Sequence, residues 1–215
     1  MHRAWTEADW IECQDAPMML FGLIRTSSQR KLRLVAAACC RRYCDSFSAE
    51  NQEKLASVES CADGLITWEE CADVGPTSII WCGRPSIGAL SCAVECKDAW
   101  DAALMACMSA KDGYIQEDKQ FDWSDALRAQ EKEAQAILLR HIFGNPFRPR
   151  SPPAFVPVSI RRLGESVYQQ NASAVGPLHD ALLDAGLTDL AAHFQDAAEW
   201  HPKGCWAIDL LTGRK

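Results

Sequence analysis

The sequence has no apolar run approaching the roughly 20 residues needed to cross a bilayer, so no membrane partner is expected. Its first ten residues, MHRAWTEADW, lack the apolar core of a secretory leader, and a cytoplasmic location is expected. Alternating apolar and polar runs of useful strand length are missing, which speaks against a sheet-based fold. No fixed-period repeat supports a solenoid. The motifs GxSxG, HExxH, GxGxxG and the P-loop pattern are absent, so the common hydrolase, metalloprotease, dinucleotide and nucleotide sites receive no support. Eleven cysteines are present, yet no two are spaced CxxC, the usual knuckle of a structural zinc site. An odd cysteine count without a leader points to reduced thiols, mostly small buried hydrophobes on helices.

Acid is absent from two stretches. Residues 25–44 carry six basic side chains and residues 140–162 carry five, with no Asp or Glu in either. The other 11 basic residues face all 29 acids of a chain whose net charge is −7. Segregation of this kind suits an anion-binding face, or basic segments that dock on acidic helices of the same molecule. The intramolecular reading is favoured.

What the chain does hold is helical pattern. With 215 residues, 48% of them hydrophobic and 24% charged, it has material for one sizeable core or two small ones. The segment QRKLRLVAAACCRRYC, residues 29–44, is expected to be the central helix. Leu32, Val35, Ala36, Cys39 and Tyr43 form its apolar stripe, rimmed by Lys31, Arg33, Arg41 and Arg42. Thr6 with Asp9, and Thr67 with Glu70, are capping boxes; Asp15, Ser28 and Ser48 are expected N-caps. Gly64, Gly144 and Gly213 are placed to end helices. One long helix is expected over 87–111 and another from Ser124 to Phe143. Loops are expected around SIIWC, residues 78–82, and over the polar tract 111–122. The expected fold class is all-α: an irregular bundle of about nine or ten helices with a Pro-rich extended connection. An N-terminal helical domain would span 1–145 around helix 29–44. A strap or linker would span 146–158, where five of the ten prolines lie, and a C-terminal helical subdomain 159–215.

The segments TEADWIEC, RKLRLVAAACCRRYC, LLRHIFGNPFRP and GCWAIDLLTG, taken together and in this order, resemble an uncharacterised, paralogue-rich family of planctomycete bacterial proteins. That resemblance covers most of the chain. It implies no activity and transfers no catalytic residue.

Candidate chemistry is sparse. Cys40 and Cys44 stand one helical turn apart, as do His201 and Cys205, with His193 upstream. Together Cys40, Cys44, His201 and Cys205 are a candidate zinc set, weighed against buried packing thiols. Arg41 and Arg42 beside Cys40 would favour a thiolate. His141 reads as a cap or core-edge residue, not a base. In FGNPFRPR, residues 143–150, the phenylalanines are expected to plug the core and the arginines to bond helix-end carbonyls. A docking strap, or a base-stacking segment, is the alternative. Three functions follow. The first is a non-enzymatic module that binds another protein and needs no cofactor. The second is a nucleic-acid or phosphate-binding accessory protein using Arg30, Lys31, Arg33, Arg41, Arg42, Phe147, Arg148 and Arg150. The third is a zinc- or thiol-dependent enzyme.

Overall fold

The computed structural model describes residues 5–23, 26–73, 85–112 and 125–215. The loop expected around 78–82 lies outside them, as do Arg25, Trp81 and Trp123; of the loop expected over 111–122, residues 111 and 112 belong to a helix and the rest lie outside. Among the described residues there are twelve α-helices and no strand, so the fold is all-α. No helix among them is long and apolar enough to cross a membrane. The chain divides into two compact units, Met1–Arg140 and His141–Lys215, and the Pro-rich tract falls inside the second.

The first unit contains α1 (Glu7–Glu12), α2 (Ala16–Leu23), α3 (Gln29–Arg41), α4 (Ala49–Ala62), α5 (Trp68–Ala72), α6 (Pro85–Glu95), α7 (Ala99–Asp112) and most of α8 (Asp125–Phe143). Local chemistry starts and stops them. Thr6 and Thr67 form complete capping boxes. Ser28 and Ser48 accept from the backbone N–H three residues on, and Asp15 accepts from Met18. Helix α3 packs against α4, α6 and α7, and eight of its thirteen residues are buried, including Leu34, Ala37 and Cys40 beyond the expected stripe. It ends at Arg41, so Tyr43 lies beyond the helix and Cys44 starts a separate short 3-10 turn.

The single helix expected over 87–111 is two. Asp98 interrupts it, its carboxylate accepting from the N–H groups of Trp100 and Asp101 at 2.8 and 3.1 Å as the N-cap of α7. Alanines at 89, 93, 102, 103, 106 and 110 are fully buried where α6 and α7 meet each other and α3, which lets the backbones approach closely.

The second unit holds the end of α8, then α9 (Val158–Tyr168), α10 (Val175–Asp184), α11 (Thr188–Ala191) and α12 (Trp206–Thr212). Helix α9 packs on α10 and α12 around Ile160, Tyr168, Leu178, Phe194, Ile208 and Leu211. Its Gly164 lets α12 come near: a Cβ there would sit 3.4 Å from the Thr212 methyl. Arg214 forks onto Glu165 with two bonds of 2.8 Å and covers the Tyr168 ring, tying the chain end to α9. Helix α11 is a single turn, continued as a 3-10 turn at Ala192–Phe194.

Candidate metal centre

Three local devices build the centre, all within the second unit. Helix α8 stops at Phe143 because Gly144 takes a left-handed backbone (φ +67°), and a Cβ there would lie only 3.0 Å from the Trp206 indole. That stop places His141 on the last helical turn. The 3-10 turn after α11 carries His193. Finally, His201-Pro202-Lys203-Gly204-Cys205 forms a tight turn in which the Cys205 N–H donates to the Pro202 carbonyl at 3.0 Å and Gly204 has φ +84°. The turn puts His201 and Cys205 on one concave side, with Cys205 at the N-cap of α12.

His141, His193, His201 and Cys205 each contribute one potential ligand atom, and these four atoms lie within 4.8 Å of one another. His193 Nε2 is 3.0 Å from Cys205 Sγ, and His201 Nδ1 is 4.0 Å from the same sulfur. Tetrahedral zinc, with bonds of about 2.0–2.1 Å to nitrogen and 2.3 Å to sulfur, sets its ligand atoms about 3.3–3.6 Å apart. The observed sulfur–nitrogen separations bracket that spacing, so small side-chain rotations bring the donors onto one ion. Cys205 is fully buried and His201 nearly so. Phe194 lies 4.8 Å from the His201 ring and Trp206 5.0 Å from the His193 ring, walling the set with aromatic carbon.

The electrostatics suit a cation that needs neutral donors. Burial, then the neighbouring His201, His141 and Arg150, pushes the His193 pKa down to about 3. Burial, then His141, pushes His201 down to about 4. Both rings therefore present lone pairs at neutral pH. Two ring nitrogens of the set, His141 Nδ1 and His201 Nε2, are buried with no hydrogen-bond partner. Each such orphan costs about 1–3 kcal/mol in a folded protein, and two of them in one cluster of donors fit a metal ion.

The surroundings hold the donors in place. Glu199 Oε1 lies 3.1 Å from His141 Nε2. The Gln170 amide donates to the His201 carbonyl at 3.2 Å and accepts from the Trp200 indole N–H at 2.7 Å. Gln170 does this from a left-handed backbone, φ +65°, just after the end of α9.

Of the zinc set expected from sequence, His201 and Cys205 belong to this cluster; Cys40 and Cys44 lie in the first unit and are not members. The Cys40 thiol is not activated by Arg41: full burial, then Cys39 and Cys92, raises its pKa well above the usual thiol value. The arginines that were to act on it are engaged elsewhere. Arg41 forks onto Glu59 at 2.7 and 2.9 Å, and Arg42 bonds Glu131 at 2.9 Å. Arg30 bonds Asp63 at 3.1 Å, and Arg33 donates to the Lys97 carbonyl and stacks over Trp68. Lys31 is half-buried on the same helix. These pairs realise the intramolecular reading of the first basic segment. In the second, Arg150 sits 3.6 Å from Asp189 and over Trp206, and Arg148 is exposed. Of the two phenylalanines expected to plug the core, Phe143 is half-buried at the end of α8, whereas Phe147 is 41% exposed in a turn that the Arg148 N–H closes onto the Asn145 carbonyl.

His141 carried no sequence signal, standing 52 residues before His193. The Pro-Lys-Gly turn between His201 and Cys205 was the signal available, since turn residues between two potential ligands make a knuckle without CxxC. Comparison with protein-family models, with curated proteins and with solved structures gives no match for this chain.

Proposed function

We propose that the protein is a zinc-binding, non-catalytic helical module, with the ion held by His141, His193, His201 and Cys205. The observation that carries this reading is the convergence of four donors within 4.8 Å, two with buried nitrogens that lack a partner. Four side-chain ligands fill a tetrahedron and leave no open position for a substrate, the pattern of structural zinc. A unit as short as His141–Lys215 has a small core, and a metal staple is a common remedy at that size. Its Pro-rich strap exposes Phe147, Phe155 and Val158, an edge suited to docking another protein. The nucleic-acid reading is less supported, because Arg30, Arg33, Arg41 and Arg42 already have carboxylate or carbonyl partners.

One contact favours a second reading. His193 and Cys205, 3.0 Å apart, have the spacing of a base and a thiol nucleophile. The full burial of Cys205 weighs against it, since a substrate has no route to the sulfur.

The test is elemental analysis and native mass spectrometry of protein purified without chelator. About one zinc per chain is expected, lost in His201→Ala and Cys205→Ala and kept in Cys40→Ala and Cys44→Ala. Zinc retained by both of the first two variants would remove this reading. Rapid alkylation of Cys205 in the zinc-loaded protein would move the thiol reading ahead.

A further inference from the structure

We propose that Glu199 is the positioning residue of the centre: it fixes the His141 ring so that the ion is taken through Nδ1, and it supplies the charge that neutralises a divalent site. This rests on the zinc reading above.

The geometry carries it. His141 has two ring nitrogens in different surroundings. Nε2 faces the Glu199 carboxylate at 3.1 Å, and Nδ1 is buried with no partner. A carboxylate only accepts, so the ring proton sits on Nε2 and the lone pair on Nδ1 faces inward. A carboxylate behind a ligating imidazole sets the tautomer, locks the ring plane and raises the ligand's basicity. Glu199 is itself placed by the turn at 196–199, where its N–H donates to the Asp196 carbonyl at 3.1 Å and the Asp196 side chain accepts from Ala198.

Charge gives the second half. Three neutral imidazoles and one thiolate around a divalent ion leave a surplus of one positive charge. The Glu199 carboxylate, 39% exposed and one imidazole removed from the ion, cancels it. Asp196 also acts on His201, and Arg150, itself paired with Asp189, acts on His193. Glu199 is the carboxylate hydrogen-bonded directly to a ring of the set, so its charge reaches the loaded centre through that ring.

The probe is zinc itself, measured by chelator competition, with long-range proton–nitrogen NMR of the histidine rings. In the wild-type chain His141 is expected as the Nε2–H form with Nδ1 on the ion. Glu199→Ala should bind zinc about 10–100-fold more weakly and lose the single tautomer. Glu199→Gln keeps an acceptor for Nε2–H but not the charge. It should keep Nδ1 coordination while losing a smaller part of the affinity, and it remains informative if the alanine variant folds poorly. Nε2 coordination in the wild type, or wild-type affinity in both variants, overturns the assignment while leaving the zinc site intact. A wild-type chain that takes no zinc at all instead overturns the zinc reading on which the assignment stands.

Discussion

Nine of the ten described cysteines lie in the first unit, and one lies in the second. The candidate metal centre is nevertheless in the second. In the first unit the fully buried thiols serve as packing groups. Cys39 and Cys107 sit with sulfurs 3.6 Å apart, both fully buried, and the bond to Cys39, then burial, raises Cys107 well above the usual range. Such thiols pack as small hydrophobes. In the second unit one thiol meets three imidazoles, with a potential ligand atom of each residue within 4.8 Å of the others. Metal affinity follows convergent, deprotonated donors, not the density of sulfur.

The sharpest way to break that comparison is to remove a ligand. Cys205→Ala should abolish zinc binding and lower the thermal midpoint of the zinc-loaded protein by several degrees or more, since the binding energy of a structural ion is folding energy. Cys40→Ala should leave metal content unchanged. Equal zinc loss in both variants would erase the distinction between the units.

Acid comes next. In the unfolded chain His193 and His201 protonate near pH 6.5, whereas in the fold they stay neutral down to about 3 and 4. The unfolded state therefore binds more protons below pH 6.5. Stability is full above that value and falls as pH drops towards 4, by roughly 2 kcal/mol per ring at pH 5. Urea titrations of chelator-treated protein at pH 7 and pH 5 measure it. An unchanged midpoint would mean the rings are not held neutral.

A counterpart in the first unit is Arg41→Ala. It removes two short bonds from Glu59, whose side chain is only 4% exposed, and should cost about 3 kcal/mol. Zinc content should not change. Smaller still is Gly144→Ala, which forces a side chain into a left-handed turn and against Trp206. Its expected cost is about 1–2 kcal/mol, with a measurable loss of zinc affinity because His141 is displaced. If Gly144→Ala binds zinc as the wild type does, the turn does not position His141.

These elements also show what can be read from a chain. The caps at Thr6, Ser28, Ser48 and Thr67 were legible because donor and acceptor are three residues apart. The break at Asp98 was equally local, but helical apolar spacing on both sides masked it. The overrun of α3 has the same origin, since Tyr43 continues the stripe's spacing past the point where the helix stops. In the centre, half the set was legible. His201 and Cys205 are joined by one turn, and His193 lies just upstream. His141 joins them only through the fold, and helical spacing alone offered Cys40 and Cys44 in its stead. The pairing of Arg41, Arg30 and Arg42 with Glu59, Asp63 and Glu131 was foreseeable as charge balance, though not residue by residue.

Gln170 places a further constraint on how this chain can vary. Its left-handed backbone is a conformation where glycine is at ease and a β-carbon costs about 1–2 kcal/mol. Gln170→Gly would relax that turn yet remove the amide that spans Trp200 and His201. The position is a place where one substitution exchanges relief of backbone strain for the loss of the bonds that hold the turn at His201.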